Sequence, residues 1–373
     1  MTTLVAQPAS PKPLQRTLER LVARNKGNGG GVARISNANS VLWEGAVGLT
    51  AGQGSAPMKA DTPFEVASIT KAVTAATILR LVEDGKLRLD STLPEVLSAD
   101  QARGFNGKIT VRQLLSHTSG LPDYWTDGPL DRKGSNAFLR AFLADPKHSW
   151  QPQEMLNFAR GIPAKTPGKD FNYSDTNYVL LGLIIERITG QPLEHAFRQI
   201  IFEPLGMHDT WLTYHEKQRG AAPSHRYEKN EDLNAVPRQS ADWAGGGLVS
   251  NCHDLNLFLR GLATEKIFKK SGTLDTMLKA TPVGEEDVSY GLGIYRVKLD
   301  NGLGELWGHD GHGNSFAYYW PQRDITITGT LNQTENDWWP FAQAFIDGEE
   351  PGIIIPENGK SFNISLITGW DSL

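Results

Sequence analysis

The sequence lacks the features that would place the chain in several common classes of protein. It has one cysteine, Cys252, among 373 residues, which excludes a disulfide within the chain. It has no run of about 18 uninterrupted apolar residues, so no membrane-spanning helix is predicted. No basic run offsets the formal charge of −5, which argues against a nucleic-acid-binding surface. The apolar content is ample for one large domain or two.

The amino terminus and the cysteine carry no sign of export or of thiol chemistry. Residues 1–12 are polar and rich in proline, without the apolar core of a signal peptide. The sequence therefore predicts a cytoplasmic protein, although the mature form of an exported protein would read the same way. Cys252 lies in a stretch typical of a helix start, which favours a buried structural thiol over a catalytic one.

Periodic apolar residues indicate helices and strands at both ends of the chain. An amphipathic helix around residues 14–22 precedes a glycine-rich turn at 27–31. A long apolar helix after Ser68 is expected to end near Gly85. Further helices are expected at 111–116, 178–189 and around 338–346. Strands are expected at 32–36, 41–47, 64–67, 293–299, 304–308, 315–320 and 325–331.

This order of elements predicts an α/β (α+β) fold with two parts. One antiparallel sheet is expected from residues 1–90 and 284–373, flanked by the amino-terminal and carboxy-terminal helices. Residues 91–283 are expected to form a mostly helical domain. The tail after about residue 349 is expected either to be disordered or to fold over the cleft between the two parts. Such a cleft is where catalytic residues from distant segments can meet.

Ser68 and Lys71 form the first candidate chemical pair. Residues three apart on a helix share a face, so the lysine amine can lie beside the serine hydroxyl. A serine hydroxyl is a weak nucleophile until a neighbouring base accepts its proton. The lysine is followed by a nearly uncharged helix, where burying an unused cation would be costly. The alternative is a lysine that only extends its amine from a surface helix into solvent.

Two further motifs give the pair a distinctive context. Tyr173-x-Asp175 lies before a predicted helix, and His309-x-Gly311 interrupts two strand-like runs. In order and spacing, these motifs and Ser68-x-x-Lys71 resemble the penicillin-recognising serine hydrolases, which include class C β-lactamases, D-alanyl-D-alanine carboxypeptidases, D-amino-acid amidases and family VIII carboxylesterases. The resemblance extends from about residue 14 to residue 346. Other stretches similar to that superfamily are 114–121, 204–210 and 246–250.

The resemblance implies a β-lactamase/transpeptidase-like fold and a role for each motif. Ser68 is similar to the nucleophile that forms an acyl-enzyme, and Lys71 and Tyr173 resemble the pair that shares the work of a base. Burial is expected to lower the pKa of the lysine, and a neighbouring ammonium to lower that of the tyrosine. The implied oxyanion hole consists of the backbone N–H groups of Ser68 and His312, with His312 on the strand after His309-x-Gly311. Tyr173 as a mere packing aromatic is the alternative.

Asp175 and His309 depart from the commonest form of these motifs. Asp175 stands where the superfamily usually has asparagine, and an ionised aspartate can accept but not donate hydrogen bonds. It is expected either to pair with Lys71 or to favour a substrate that offers an N–H or a cationic amine. His309 stands where many relatives have lysine, and it is mostly neutral near pH 7. Both departures favour peptidase, amidase or esterase chemistry over β-lactam hydrolysis.

The predicted function is therefore a serine hydrolase that hydrolyses small amides or peptides, including D-amino-acid derivatives, through an acyl-enzyme on Ser68. A carboxylesterase, an acyltransferase and a catalytically silent binding protein remain as alternatives. The resemblance implies no cofactor and no metal. A metal site at His309, Asp310 and His312 is not expected, because strand positions three apart point to opposite faces. The expected partner is a small-molecule ester or amide, with neither nucleic acid nor membrane, and the oligomeric state is not predicted.

Overall fold

The computed structural model describes residues 11–25, 28–145, 147–235 and 239–348. The predictions for residues 1–10, for Gly27 and for the tail after residue 349 lie outside the described residues. The α-helices are α1 (Pro11–Ala23), α2 (Thr70–Glu83), α3 (Leu93–Val96), α4 (Ala99–Ala102), α5 (Val111–Leu115), α6 (Ala137–Ala144), α7 (Pro152–Arg160), α8 (Asp175–Thr189), α9 (Leu193–Phe197), α10 (Glu203–Leu205), α11 (Trp243–Gly246), α12 (Cys252–Ala263), α13 (Thr273–Leu278) and α14 (Trp339–Gly348). The strands are β1 (Gly30–Ser36), β2 (Val41–Gly48), β3 (Phe64–Glu65), β4 (Trp211–Leu212), β5 (Tyr227–Glu228), β6 (Glu231–Asp232), β7 (Leu248–Ser250), β8 (Thr281–Pro282), β9 (Val288–Tyr290), β10 (Tyr295–Leu299), β11 (Gly304–Gly311), β12 (Ser315–Trp320) and β13 (Ile325–Thr330).

The main sheet draws its strands from both ends of the described chain. Its eight strands are ordered β2-β1-β13-β12-β11-β10-β9-β8, and every neighbouring pair is antiparallel. The pairing of β1 with β13 joins the amino-terminal hairpin to the carboxy-terminal strands. The predicted antiparallel sheet and the α/β class are confirmed.

Each face of the sheet buries its own set of helices. Phe316, Tyr318 and Trp320 alternate along β12 and pack with α1 and α14, whereas Ala317 and Tyr319 belong to the core on the opposite face. This alternation follows from the two-residue period of side chains in a strand. The sheet is therefore covered by the terminal helices on one face and by α12 on the other, where the core is shared with α2 and α8.

Helix α2 is buried along almost its whole length, because it lies between the sheet and the helical region. It packs against α8 and α11, and Gly85, with φ +73°, follows its end as the sequence predicts. A helix in this position is apolar on all sides. The lysine in its first turn, Lys71, is only 1 % exposed and is among the largest fully buried side chains of the described chain.

Two elements near the site extend beyond their predicted limits. Helix α8 begins at Asp175 rather than at Tyr178, because its polar first turn is held by hydrogen bonds from other segments. One of these is the Thr176 hydroxyl donating to the Pro122 carbonyl at 2.7 Å. Strand β11 continues to Gly311, so His309-x-Gly311 lies within the strand instead of interrupting it. His312 lies in the following turn, not on the predicted next strand.

Two further sequence predictions concern Cys252 and membrane association. The Cys252 thiol is buried at the start of α12 and donates to the Thr328 carbonyl, and burial raises its pKa to about 12. This environment is that of a structural thiol, not of a reactive one. Over the described ranges, no helix is both long enough and apolar enough to cross a membrane.

Candidate active site

Ser68 lies in a tight turn between a short strand and a buried helix. Strand β3 ends at Glu65, Ala67 adopts a left-handed φ of +45°, and a 3₁₀ turn over Ala67–Ile69 leads into α2. A non-glycine residue in this region costs about 1 kcal/mol or more, so the surroundings must hold it. Two bonds to the preceding residue do so: the Val66 N–H donates to Leu248 and the Ser315 hydroxyl donates to the Val66 carbonyl.

The Lys71 amine has three acceptors at hydrogen-bonding distance. Its Nζ lies 3.0 Å from the Ser68 hydroxyl oxygen, 2.9 Å from the Gly245 carbonyl oxygen and 2.5 Å from Asp175 Oδ1. Three acceptors match the three N–H groups of an ammonium. A side chain at Gly245 would collide with this arrangement, since a Cβ there would lie 2.9 Å from Asp175 Oδ1. Of the two roles open to Asp175, the structure shows the pairing with Lys71.

Tyr173 is the second group in contact with the serine. Its hydroxyl donates to Ser68 Oγ at 2.9 Å, and its ring centroid lies 4.8 Å from Lys71 Nζ. Burial, and after it the charge of Asp175, raises the pKa of Tyr173 well above its ordinary value. The expectation that the neighbouring ammonium lowers this pKa is therefore wrong, because desolvation and Asp175 outweigh it. In this arrangement Tyr173 is a neutral phenol.

His117 packs against the ring of Tyr173. The imidazole stacks on the Tyr173 ring at 4.2 Å, and its Nδ1 accepts from the Ser174 N–H and from the Asn177 side-chain amide, each at 3.1 Å. Two donors on Nδ1 require the proton on Nε2. Burial lowers the pKa of His117 well below its ordinary value. The sequence signal for this residue was its place in the stretch 114–121, which is similar to the superfamily.

His309 is a buried neutral side chain on the sheet side of the site. Its Nδ1 donates to the Asp310 carbonyl at 2.6 Å, and its Nε2 accepts from the Tyr290 hydroxyl at 3.1 Å. The imidazole is 1 % exposed, and burial, with Lys71 adding to it, lowers its pKa to about 3. None of the hydrogen bonds described for His309 joins it to Ser68, Lys71 or Tyr173. Both ring nitrogens are thus engaged within the protein.

Gly311 and His312 lie against the segment that leads to Ser68. A Cβ at Gly311 would lie 2.3 Å from the Val66 carbonyl oxygen and 2.9 Å from Ala67 Cβ, so only glycine fits there. The next residue, His312, presents its carbonyl to Arg226 Nη1 at 3.1 Å. The two segments named as oxyanion donors, those of Ser68 and His312, are therefore neighbours in the fold.

Comparison with known proteins places this arrangement in a family. A family model described as Beta-lactamase matches residues 14–341. The chain belongs to the beta-lactamase family. The superfamily predicted from the three motifs is therefore confirmed.

Proteins similar to the chain include an esterase, amide hydrolases and penicillin-binding proteins. The chain is 35 % identical over 204 residues to Esterase EstB of Burkholderia gladioli, covering 52 % of this chain and 50 % of that protein. It resembles the D-stereospecific amidohydrolase from Streptomyces sp. with a TM-score of 0.77 and 30 % identity, over 92 % of this chain and all of the other. It resembles the D-amino acid amidase from Ochrobactrum anthropi SV3 with a TM-score of 0.75 and 26 % identity, over 90 % and 98 % of the two chains. The matches to curated relatives such as EstB span about half of their length.

Two buried acids near the family motifs were missed by sequence reasoning. Burial raises the pKa of Asp242 to about 7, with Arg226 opposing the rise and Asp175 adding to it. Burial and the charge of Asp175 raise the pKa of Asp123 well above its ordinary value. Their burial comes from packing between distant segments, so no local pattern reveals them. Among the described residues, no group of three or more His, Cys, Asp or Glu side chains could hold a metal ion.

Proposed function

We propose that the protein is a serine hydrolase that forms an acyl-enzyme on Ser68 and then releases the acid by hydrolysis. The observation that carries this proposal is the position of the Ser68 hydroxyl between two groups that can move protons. Lys71 Nζ lies at 3.0 Å and Tyr173 Oη at 2.9 Å. A nucleophile with a base and an acid in direct contact is the arrangement that acyl transfer requires. Membership of the family supports the same assignment.

The proton route follows from the charges around Ser68. Lys71 has to lose a proton before it can accept one, and Asp175 Oδ1, at 2.5 Å, is the nearest acceptor. The neutral amine then takes the Ser68 proton as Oγ attacks the substrate carbonyl. Tyr173 gives its proton to the departing nitrogen or oxygen and recovers one from Lys71, which in turn takes back its own from Asp175. The net change is transfer of the Ser68 proton to the leaving group.

The same groups serve the second half of the reaction. Water attacks the acyl carbonyl, its proton passes to the same chain of residues, and the Ser68 oxygen leaves with a proton restored. In both steps the negative oxygen of the intermediate needs N–H donors, for which the backbones of Ser68 and His312 are the candidates. Removing one such donor costs about 10²–10³ in kcat in other hydrolases.

Small amides, including D-amino-acid amides, are the substrate class that we favour. The amidohydrolase and amidase neighbours match about nine-tenths of this chain, whereas EstB matches about half of it. Small esters are the second candidate, favoured by the higher sequence identity to EstB.

Intact-mass spectrometry after incubation with a fluorophosphonate and a panel of substrates tests the proposal. The panel contains p-nitrophenyl esters of increasing chain length and D- and L-amino-acid amides. We expect one added group on the wild type and none on Ser68→Ala, which should remain folded. Turnover by Ser68→Ala equal to that of the wild type would overturn the assignment. Absence of both labelling and turnover in the wild type would instead support a binding protein on this fold.

Two organisational predictions remain proposals. We retain the division into residues 1–90 with 284–373 and residues 91–283, supported by the sheet that both ends build together. The proposed boundary near residue 283 directly follows β8, which pairs with β9 in the main sheet. Helix α12, from the proposed helical part, packs on β13 of the sheet. Limited proteolysis would find the boundary if it is exposed. A cytoplasmic location is likewise a prediction, which cell fractionation tests.

A further inference from the structure

A buried ion pair lies beside the turn that carries Ser68. Arg226, which precedes β5, is only 7 % exposed, and its Nη2 lies 3.4 Å from Glu65 Oε2. Asn234 strengthens the pair from both ends. The Asn234 side-chain nitrogen donates to Glu65 Oε1. The Asn234 side-chain oxygen accepts from the backbone N–H of Arg226 at 2.7 Å. Burying two charges in this way is costly unless their hydrogen bonds hold a defined geometry.

The pair connects the two segments that border the candidate oxyanion site. Glu65 is the last residue of β3, three residues before Ser68. On the other side, Arg226 Nη1 donates to the carbonyl of His312, in the turn after β11, at 3.1 Å. Gly313 lets the arginine approach this turn, since a Cβ at its φ of +97° would lie 2.3 Å from Arg226 Cδ. One guanidinium therefore contacts both segments.

We propose that Glu65 and Arg226 are positioning residues, which set the distance between the Ser68 turn and the His312 turn. This inference rests on the proposed function. An oxyanion site stabilises the transition state only when its donors are held in place beforehand. Arginine suits the task because its planar fork reaches two acceptors in fixed directions, which a lysine amine does not. Glu65 and Arg226 are not expected to touch the substrate.

A boronic acid that adds to Ser68 provides the decisive measurement, because the adduct carries a tetrahedral centre like that of the intermediate. We expect Arg226→Met to lower both boronate affinity and kcat by about 10- to 100-fold, less than the roughly 10²–10³ that removal of an oxyanion donor costs, because the variant displaces the donors without removing them. The KM for an amide or ester should stay within about twofold, since ground-state binding does not use these donors. Arg226→Lys should recover only part of the loss. Because Arg226→Met leaves Glu65 buried without its cation, Arg226→Met/Glu65→Gln is measured beside it.

A second, more exposed arginine offers a control with the same types of contact. Arg296 Nη2 pairs with Glu305 Oε2 at 2.6 Å, and its Nη1 donates to the Leu278 carbonyl at 3.1 Å, the same chemistry at the far end of β11. Arg296→Met should leave boronate affinity unchanged. A loss of thermal stability in the Arg226 variants with wild-type boronate affinity and kcat would overturn the inference and leave a purely structural pair. A wild type that neither turns over substrate nor binds boronate would overturn the proposed function along with it.

Discussion

The helical side and the sheet side of Ser68 handle charge in opposite ways. On the helical side, Lys71 and Asp175 form a buried ion pair in which the amine has three acceptors. On the sheet side, His309 lies equally deep between Tyr290 and Tyr295, and its pKa falls to about 3. A buried charge is tolerated where opposite charge and acceptors surround it, whereas an aromatic environment favours the neutral form.

This difference suggests a division of labour between the two sides. Groups that move protons come from α2, from α8 and from Tyr173, two residues before α8. The sheet side contributes backbone geometry through Gly311 and the His312 turn, with no mobile charge at His309. The variants described next test this division, starting with the largest expected effect.

Replacing Lys71 should abolish function and expose the cost of the ion pair. We expect Lys71→Met to lower kcat by about 10³-fold or more, toward the upper range for a lost proton carrier. It should also lower the free energy of unfolding by about 3–5 kcal/mol, because Asp175 stays buried without its partner. Lys71→Met/Asp175→Asn should regain much of that stability and no activity. Urea denaturation and turnover measure the two effects, and a double variant as unstable as the single one would contradict the pairing argument.

Removing the Tyr173 hydroxyl tests the second proton carrier alone. Tyr173→Phe keeps the ring on which His117 stacks, so the fold should be unchanged while kcat falls about 10²-fold. Tyr295→Phe is the matched control, since the Tyr295 hydroxyl is buried and has no hydrogen-bond partner among the described residues. Equal activities of the two variants would remove Tyr173 from the proton route. Steady-state kinetics on one ester and one amide provides the measurement.

Asp175→Asn removes the ion pair with Lys71 and restores the asparagine that the family usually has at this position. With no carboxylate to receive the Lys71 proton, we expect kcat to fall about tenfold or more. The charge of Asp175 also helps to raise the pKa of Tyr173, so the alkaline loss of activity should begin at a lower pH in the variant. Asp123→Asn is the control, because burial already favours the neutral form of that carboxyl. An unchanged rate and pH profile in Asp175→Asn would show that Asp175 takes no part.

His309→Gln removes the buried imidazole on the sheet side. This variant should change the pH dependence of the free energy of unfolding more than it changes kcat. The pKa of His309 is about 3 in the fold against an ordinary 6.5, so the unfolded chain binds the extra proton between these values. Neutral His309 therefore contributes fully to the free energy of unfolding above pH 6.5. This contribution falls by about 1.4 kcal/mol for each pH unit between 6.5 and 3. Between pH 7 and pH 5 the wild type should lose about 2 kcal/mol more than His309→Gln. Equal losses would mean that His309 is protonated in the fold.

Local pattern was sufficient for elements whose burial is regular. The long apolar run of α2 with Gly85 after its end, and the aromatic-rich run of β12, can be read without tertiary information. The start of α8 at Asp175 and the extension of β11 to Gly311 could not, because polar residues there are satisfied by distant partners. His117 illustrates the same limit at the site. Its two donors and its stack on Tyr173 come from residues more than 50 positions away.

The sequence by itself determined the superfamily and the candidate nucleophile with its two proton carriers. Motif order and the i, i+3 spacing of Ser68 and Lys71 are properties of the chain alone. Only the tertiary structure decided that Asp175 pairs with Lys71, that Tyr173 is a neutral phenol and that His309 has no charge. These outcomes depend on desolvation and on distances between segments far apart in sequence, and both exist only after the chain has packed.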